Sequence, residues 1–153
     1  VSNLPPKLTA MTRTLLTTLI LLTLTTSAFT QASKDEAAIR SVMANQVDAW
    51  NKGNIDAFMK GYWNNDSLVF IGKSGLSNGY HQALANYKKN YSGSDQMGKL
   101  FFDLLKVKRL SADYYFVIGK WFLKRKAGDI GGVYTLLFHK INGLWRIVVD
   151  HTS

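Results

Sequence analysis

Residues 132–153 read GVYTLLFHKINGLWRIVVDHTS, and this stretch decides the fold. Asn142-Gly143 between two runs rich in β-formers is the signature of a two-residue type I′ hairpin turn. Such a turn sets the register, so Ile141 faces Leu144 and pairing runs outward from there. Directly opposed residues share a face of the sheet. One face then carries Lys140/Trp145, Phe138/Ile147, Leu136/Val149 and Tyr134/His151. The other carries His139/Arg146, Leu137/Val148, Thr135/Asp150 and Val133/Thr152. The first face is apolar up to its far end, where Tyr134 meets His151, and it is assigned to the covered side.

Upstream of this hairpin the same two-residue period continues. Residues 99–110, 114–125, 132–141 and 144–152 read as four long antiparallel strands. If Gly128-Asp129 centres the preceding hairpin, Trp121 lies opposite Leu136 on the covered side. Before Gly98 the period is helical. Ser33 and Glu36 have capping-box spacing. Ile39, Val42, Met43, Gln46, Val47 and Trp50 follow as one stripe, and Gly53 ends the helix. Asn54 caps a second helix carrying Ile55, Phe58, Met59, Tyr62 and Trp63. A short strand over 67–71 leads into a glycine-punctuated loop over 72–79. A third helix spans about 80–91, with Tyr80, Leu84, Tyr87 and Tyr91 on one side. Three helices gathered on one face of a curved, mainly antiparallel sheet make an α+β layer fold.

The chain has 153 residues, 46% hydrophobic and 12% aromatic, enough for one core and too apolar for disorder. It has no cysteine, which excludes disulfides, thiolate metal sites and a cysteine nucleophile. With 3 His and no pair at ligand spacing, no metal and no cofactor are expected. Residues 11–32, MTRTLLTTLILLTLTTSAFTQA, have the three parts of a secretory signal: Arg13, the apolar run 15–24, and small residues ending at Thr30-Gln31-Ala32. The apolar run falls short of the roughly 20 residues of a spanning helix. Residues 1–32 are therefore read as an upstream stretch plus signal, with the start at Met11, and 33–153 as one secreted or periplasmic domain without a transmembrane anchor. The +9 net charge is scattered along the chain rather than gathered with exposed stacking aromatics, so no nucleic-acid partner is expected.

The covered side would have aromatic walls: Trp50, Tyr62 and Trp63 from helices, Trp121, Tyr134 and Trp145 from strands. Trp50 and Trp145 read as core. Apolar walls with a few convergent polar groups describe a small-molecule site. The candidate ligand-binding residues are Tyr62, Trp63, Trp121, Tyr134 and His151. His151 with Tyr134 is also the candidate catalytic pair, His151 acting as general acid or base in an enzyme of isomerase or hydrolase type. Ordinary core packing, with the outer sheet face around Leu137 and Val148 used for interaction, remains the third possibility.

Gly119-Lys120-Trp121, Tyr134 to Lys140 and Gly143 to Ser153 resemble the SnoaL-like branch of the nuclear transport factor 2-like superfamily. The kin resembled are secreted bacterial domains of unknown function of the 4440 type. Ala49-Trp50-Asn51-Lys52-Gly53-Asn54-Ile55-Asp56 is similar to the family's helix-one to helix-two junction. The resemblance implies a cone-shaped fold, a pocket between helices and sheet, and homodimers through the sheet. The ending also resembles the kinase association domain, with its Trp…His-x-His-x-Ser. Here His151 and Ser153 match, and Val149 stands for the first His. Steroid isomerases of the superfamily carry a catalytic Asp at the end of the first strand, where this chain has Gly72. Fold alone does not assign a chemistry.

Overall fold

The computed structural model describes residues 31–153. The signal reading therefore falls, but for Gln31 and Ala32, outside the described residues. The chain divides into two units, 1–35 and 36–153. In the first, residues 31–35 are helical and Gln31 Nε2 donates to Asp35 Oδ1 at 3.0 Å. Helical backbone covers 31–51, so Ser33 lies within it and not at an N-cap, which corrects the expected capping box.

In the second unit, residues 36–51 are α1. Gly53, at φ +73°, reverses the chain after it, and its N–H donates to Trp50 O at 2.8 Å. Asn54 caps α2 (Ile55–Met59) by accepting from the Ala57 N–H at 2.9 Å. The next elements are β1 (Val69–Gly72), β2 (Gly75–Asn78), α3 (Tyr80–Asn90) and α4 (Ser94–Met97). Four long strands follow: β3 (Lys99–Arg109), β4 (Tyr114–Lys124), β5 (Ile130–Ile141) and β6 (Leu144–Thr152). The expected loop over 72–79 contains β2, which turns back on β1 at Gly75, φ +92°. The helix α4 is an addition to the three expected, and it is only one turn long.

The six strands form one sheet in the order β2-β1-β6-β5-β4-β3. All neighbours are antiparallel except β1 and β6, so the sheet is mixed. The long strands match the expected ones to within two residues at each end. The apolar stripe of α1 (Ile39, Met43, Trp50) joins Tyr115, Val117, Leu136, Phe138, Trp145 and Ile147 in one core cluster. Asn51 ties helix to sheet. Its side chain accepts from the Leu100 N–H at 2.7 Å and donates to Leu100 O at 3.2 Å.

The last hairpin begins as expected. Asn142 and Gly143 both have positive φ, 50° and 77°, as a type I′ turn requires. Pairing then runs Ile141↔Leu144, Lys140↔Trp145, His139↔Arg146 and Phe138↔Ile147. There the register shifts, and the next pair is Leu137↔Val149. Val148 is the extra residue of a β-bulge. It sits beside the place where the segment after α2 crosses β6: Ile147 N–H donates to Gly61 O at 3.0 Å, and Trp63 N–H to Ile147 O at 2.9 Å. Beyond the bulge the facing reverses. Thr135 pairs with His151 and Tyr134 with Thr152. The expected pair Tyr134/His151 is thereby corrected.

Candidate functional site

A cavity of about 770 Å³ lies between the helices and the sheet. It is lined by rings from every layer: Trp50 on α1, Phe58 on α2, Tyr87 on α3 and Tyr91 just after it, Phe70 on β1, Phe102 on β3, Trp121 on β4 and Tyr134 on β5. These rings meet mostly edge to face. Trp50 stands 4.8 Å from Tyr91 and 5.2 Å from Phe58, Phe58 stands 5.2 Å from Tyr87, and Phe102 stands 5.4 Å from Tyr134. Such pairs add about 0.5–1.5 kcal/mol each beyond their burial. Trp50, read from sequence as core, is both core and wall, and its Nε1 donates to Met97 O at 3.1 Å.

The polar centre is Asp150. The bulge at Val148 turns it inward, and it is 2% exposed. Its Oδ2 accepts from the Tyr62 hydroxyl at 2.7 Å and its Oδ1 from the Thr152 hydroxyl at 2.5 Å. The Tyr62 and Tyr87 hydroxyls are 3.4 Å apart and extend the chain of oxygens to α3. Burial pushes the Asp150 carboxyl up to about 6, against the opposing pull of Thr152, Tyr62 and nearby His151. Tyr62 is held well above the ordinary phenol range, first by burial and then by the Asp150 charge. An acid near neutrality inside an apolar cavity can hold or release a proton there.

Tyr134 is the second polar group. It is 3% exposed, and its hydroxyl has no hydrogen-bond partner, alone among the buried side-chain atoms of the described residues. Burial, then the charges of Asp103 and Asp150, raise its phenol. The ring fits because its neighbour on β4 is Gly119; a Cβ there would stand 2.3 Å from the Tyr134 hydroxyl. Lys73, Ser74 and Gly75 of the β1–β2 turn also line the cavity, and all three are exposed.

Of the residues expected to form the site, Tyr62, Trp121 and Tyr134 line the cavity and Trp63 does not. Trp121 is on the expected side, but its partner is Gly132 and not Leu136. Its Nε1 donates to Ser153 O at 3.2 Å. His151 is exposed and absent from the lining, because the bulge sends it to the opposite face. The expected Tyr134–His151 pair does not form. Asp150, expected on the other face opposite Thr135, takes the inner place. Tyr87, Tyr91, Phe70 and Phe102 were missed as wall residues, although the α3 stripe already grouped Tyr87 with Tyr91.

Among solved structures the chain is similar to an NTF2-like protein of unknown function from Shewanella oneidensis MR-1. The identity is 40% and the TM-score 0.75, over 78% of this chain and 98% of that one. The chain belongs to the NTF2-like family. More remote likenesses show the NTF2-like fold alone. One is a ketosteroid isomerase-like protein from Erwinia carotovora atroseptica, 22% identical with TM-score 0.61, over 76% and 93% of the two chains. Another is a hexachlorocyclohexane dehydrochlorinase, 18% identical with TM-score 0.64, over 80% and 86%. No protein-family model and no curated protein matches this NTF2-like chain.

The two phenols have opposite expected effects on stability. In urea unfolding near neutral pH, Tyr62→Phe costs about 2 kcal/mol, because it withdraws one of the hydroxyls that hold the Asp150 charge. Tyr134→Phe stabilises the fold by about 1 kcal/mol or more, because it removes a buried hydroxyl that has no partner. The folded Asp150 value lies above the ordinary one, so the folded chain binds more protons in between. Stability therefore falls as pH rises from about 4 to about 6, by roughly 2–3 kcal/mol from this group, and Asp150→Asn removes that slope.

Proposed function

We propose that this chain is a small-molecule-binding domain of the SnoaL-like type, with its ligand held among the rings between helices and sheet. The observation that carries this reading is the Tyr134 hydroxyl, a buried polar group left without a partner inside an aromatic cavity. A buried hydroxyl without a partner costs about 1–3 kcal/mol, and a ligand that bonds to it recovers that cost on binding. The volume lies within the roughly 300–1,000 Å³ typical of small-molecule sites. No helix among the described residues is long and apolar enough to cross a membrane. The enzyme reading through His151 finds no support in the geometry, since the imidazole lies on the outer face.

Trp50 and Trp121 make binding visible by their own emission. In a screen of ring compounds bearing one polar group, hits shift that emission and raise the melting temperature. Filling the space with Ala83→Trp, at a buried wall position on α3, abolishes both effects while the chain still folds. Emission shifts that survive Ala83→Trp would place the ligand elsewhere.

Residues 11–32 support export of the domain. Expressed from Met11 in a bacterial host, the exported protein reads from Ser33 on N-terminal sequencing; retention of residue 11 in the cell envelope fraction contradicts cleavage. Exposed Phe101, Phe122 and Val133 on the outer sheet face support a homodimer formed through the sheet. Sedimentation at micromolar concentration shows a dimer, and Phe122→Glu shifts it to monomer; a wild-type monomer throughout contradicts it.

A further inference from the structure

The Asp150 carboxylate in the cavity lining has hydroxyl partners and no ion-paired cation. Among the described residues, no Lys, Arg or His forms an ion pair with Asp150. Its oxygens are held by Tyr62 and Thr152, which stabilise a charge without cancelling it. An ionised carboxylate buried without a counter-charge is costly, and the usual remedies are a cation or a proton. Lys73 is the one cationic side chain of the lining, and it is exposed at the mouth, in water.

The surrounding groups favour the same sign. Aromatic rings attract cations through the negative potential over their faces, by about 0.5–2 kcal/mol each when desolvated. Trp50, Phe70, Tyr87 and Trp121 supply such rings in the lining. The unpartnered Tyr134 oxygen has lone pairs that accept from an ammonium N–H. A neutral ligand satisfies the hydroxyl and leaves the charge as it is. An anion adds a like charge.

We propose that the cavity binds an organic cation, a protonated amine carried on an apolar ring body, whose ammonium sits between the Asp150 carboxylate and the Tyr134 hydroxyl. This rests on the small-molecule reading of the cavity. It implies a pH dependence, because the ammonium needs Asp150 ionised. With the carboxyl at about 6, amine affinity rises with pH through that value. The other titratable groups around Asp150 are Tyr62 after α2, Tyr87 on α3, Tyr134 on β5 and His151 on β6 itself, with Lys73 at the mouth and Asp103 near Tyr134. The phenols stay neutral throughout, so His151 is the neighbour that must be separated from Asp150.

The test is calorimetry of the full chain with three probes of one shape: naphthylmethylamine, naphthylmethanol and naphthoate. At about pH 8 the amine binds about tenfold tighter than the alcohol, and naphthoate binds weakest. At about pH 5 the amine's preference over the alcohol shrinks to within about twofold. Asp150→Asn loses the preference at both pH values, and His151→Gln keeps it. Alcohol and amine binding equally at about pH 8 overturns the cation and leaves the cavity reading standing. Amine preference that persists in Asp150→Asn, or that follows His151, also overturns it. Failure of all three probes to bind overturns the proposal and the cavity reading together. Should Asp150→Asn not fold, the pH comparison run on His151→Gln decides the question: an amine preference that still falls between about pH 8 and about pH 5 supports Asp150, and one that no longer changes with pH overturns it.

Discussion

The Tyr62 hydroxyl stands 2.7 Å from Asp150 Oδ2, and this buried hydrogen bond ties the segment after α2 to the last strand. Much else depends on it. The segment reaches Asp150 only because residues 61–63 are bonded to β6 at Ile147. Asp150 faces Tyr62 only because Val148 is an extra residue and reverses the strand beyond it. A carboxyl turned into an apolar interior needs donors on the spot. Tyr62 and Thr152 are those donors. Without the bulge, the inner place would fall to His151 and the carboxyl would stand in water.

Around this bond the aromatic rings pack on one another, and part of the rim is exposed. The aromatic rings of α1, α2 and α3 brace one another edge to face, with Tyr87 in contact with Trp50, Phe58 and Phe70. Asn51 fixes the end of α1 to β3 through its two bonds to Leu100. The short β1–β2 hairpin forms the rim beside α3, with Lys73, Ser74, Gly75 and Leu76 exposed.

The fold was legible because its signals were local and redundant. Asn142-Gly143 set the last hairpin, the two-residue period set the strands, and Gly53 and Asn54 marked the junction of the first helices. The order of helices and strands set the layer arrangement, and the family resemblance implied a pocket between them. The parallel pairing of β1 with β6 joins residues about eighty apart in sequence, and no local pattern announces it. The site was legible only in part. Tyr62, Trp121 and Tyr134 were found because a ring on the apolar face of an element points inward wherever the element goes. Asp150 was missed for a specific reason. Ile147, Val148 and Val149 are all apolar and β-branched, so any of them suits an inner position, and the pattern is silent on which one is skipped. Strict alternation carried through that run places His151 inside. One unpaired residue reverses the answer, and the bond that accompanies it, Tyr62 to Asp150, spans 88 positions of the chain.

The most direct test of the central claim is the register of β5 against β6 beyond Ile147, read from cross-strand nuclear Overhauser contacts in labelled protein. The bulge at Val148 brings together the backbone protons of Leu137 and Val149 and of Thr135 and His151, and these are the contacts expected. Contacts pairing Leu137 with Val148 and Tyr134 with His151 would contradict it, and would return the histidine to the cavity and the aspartate to solvent.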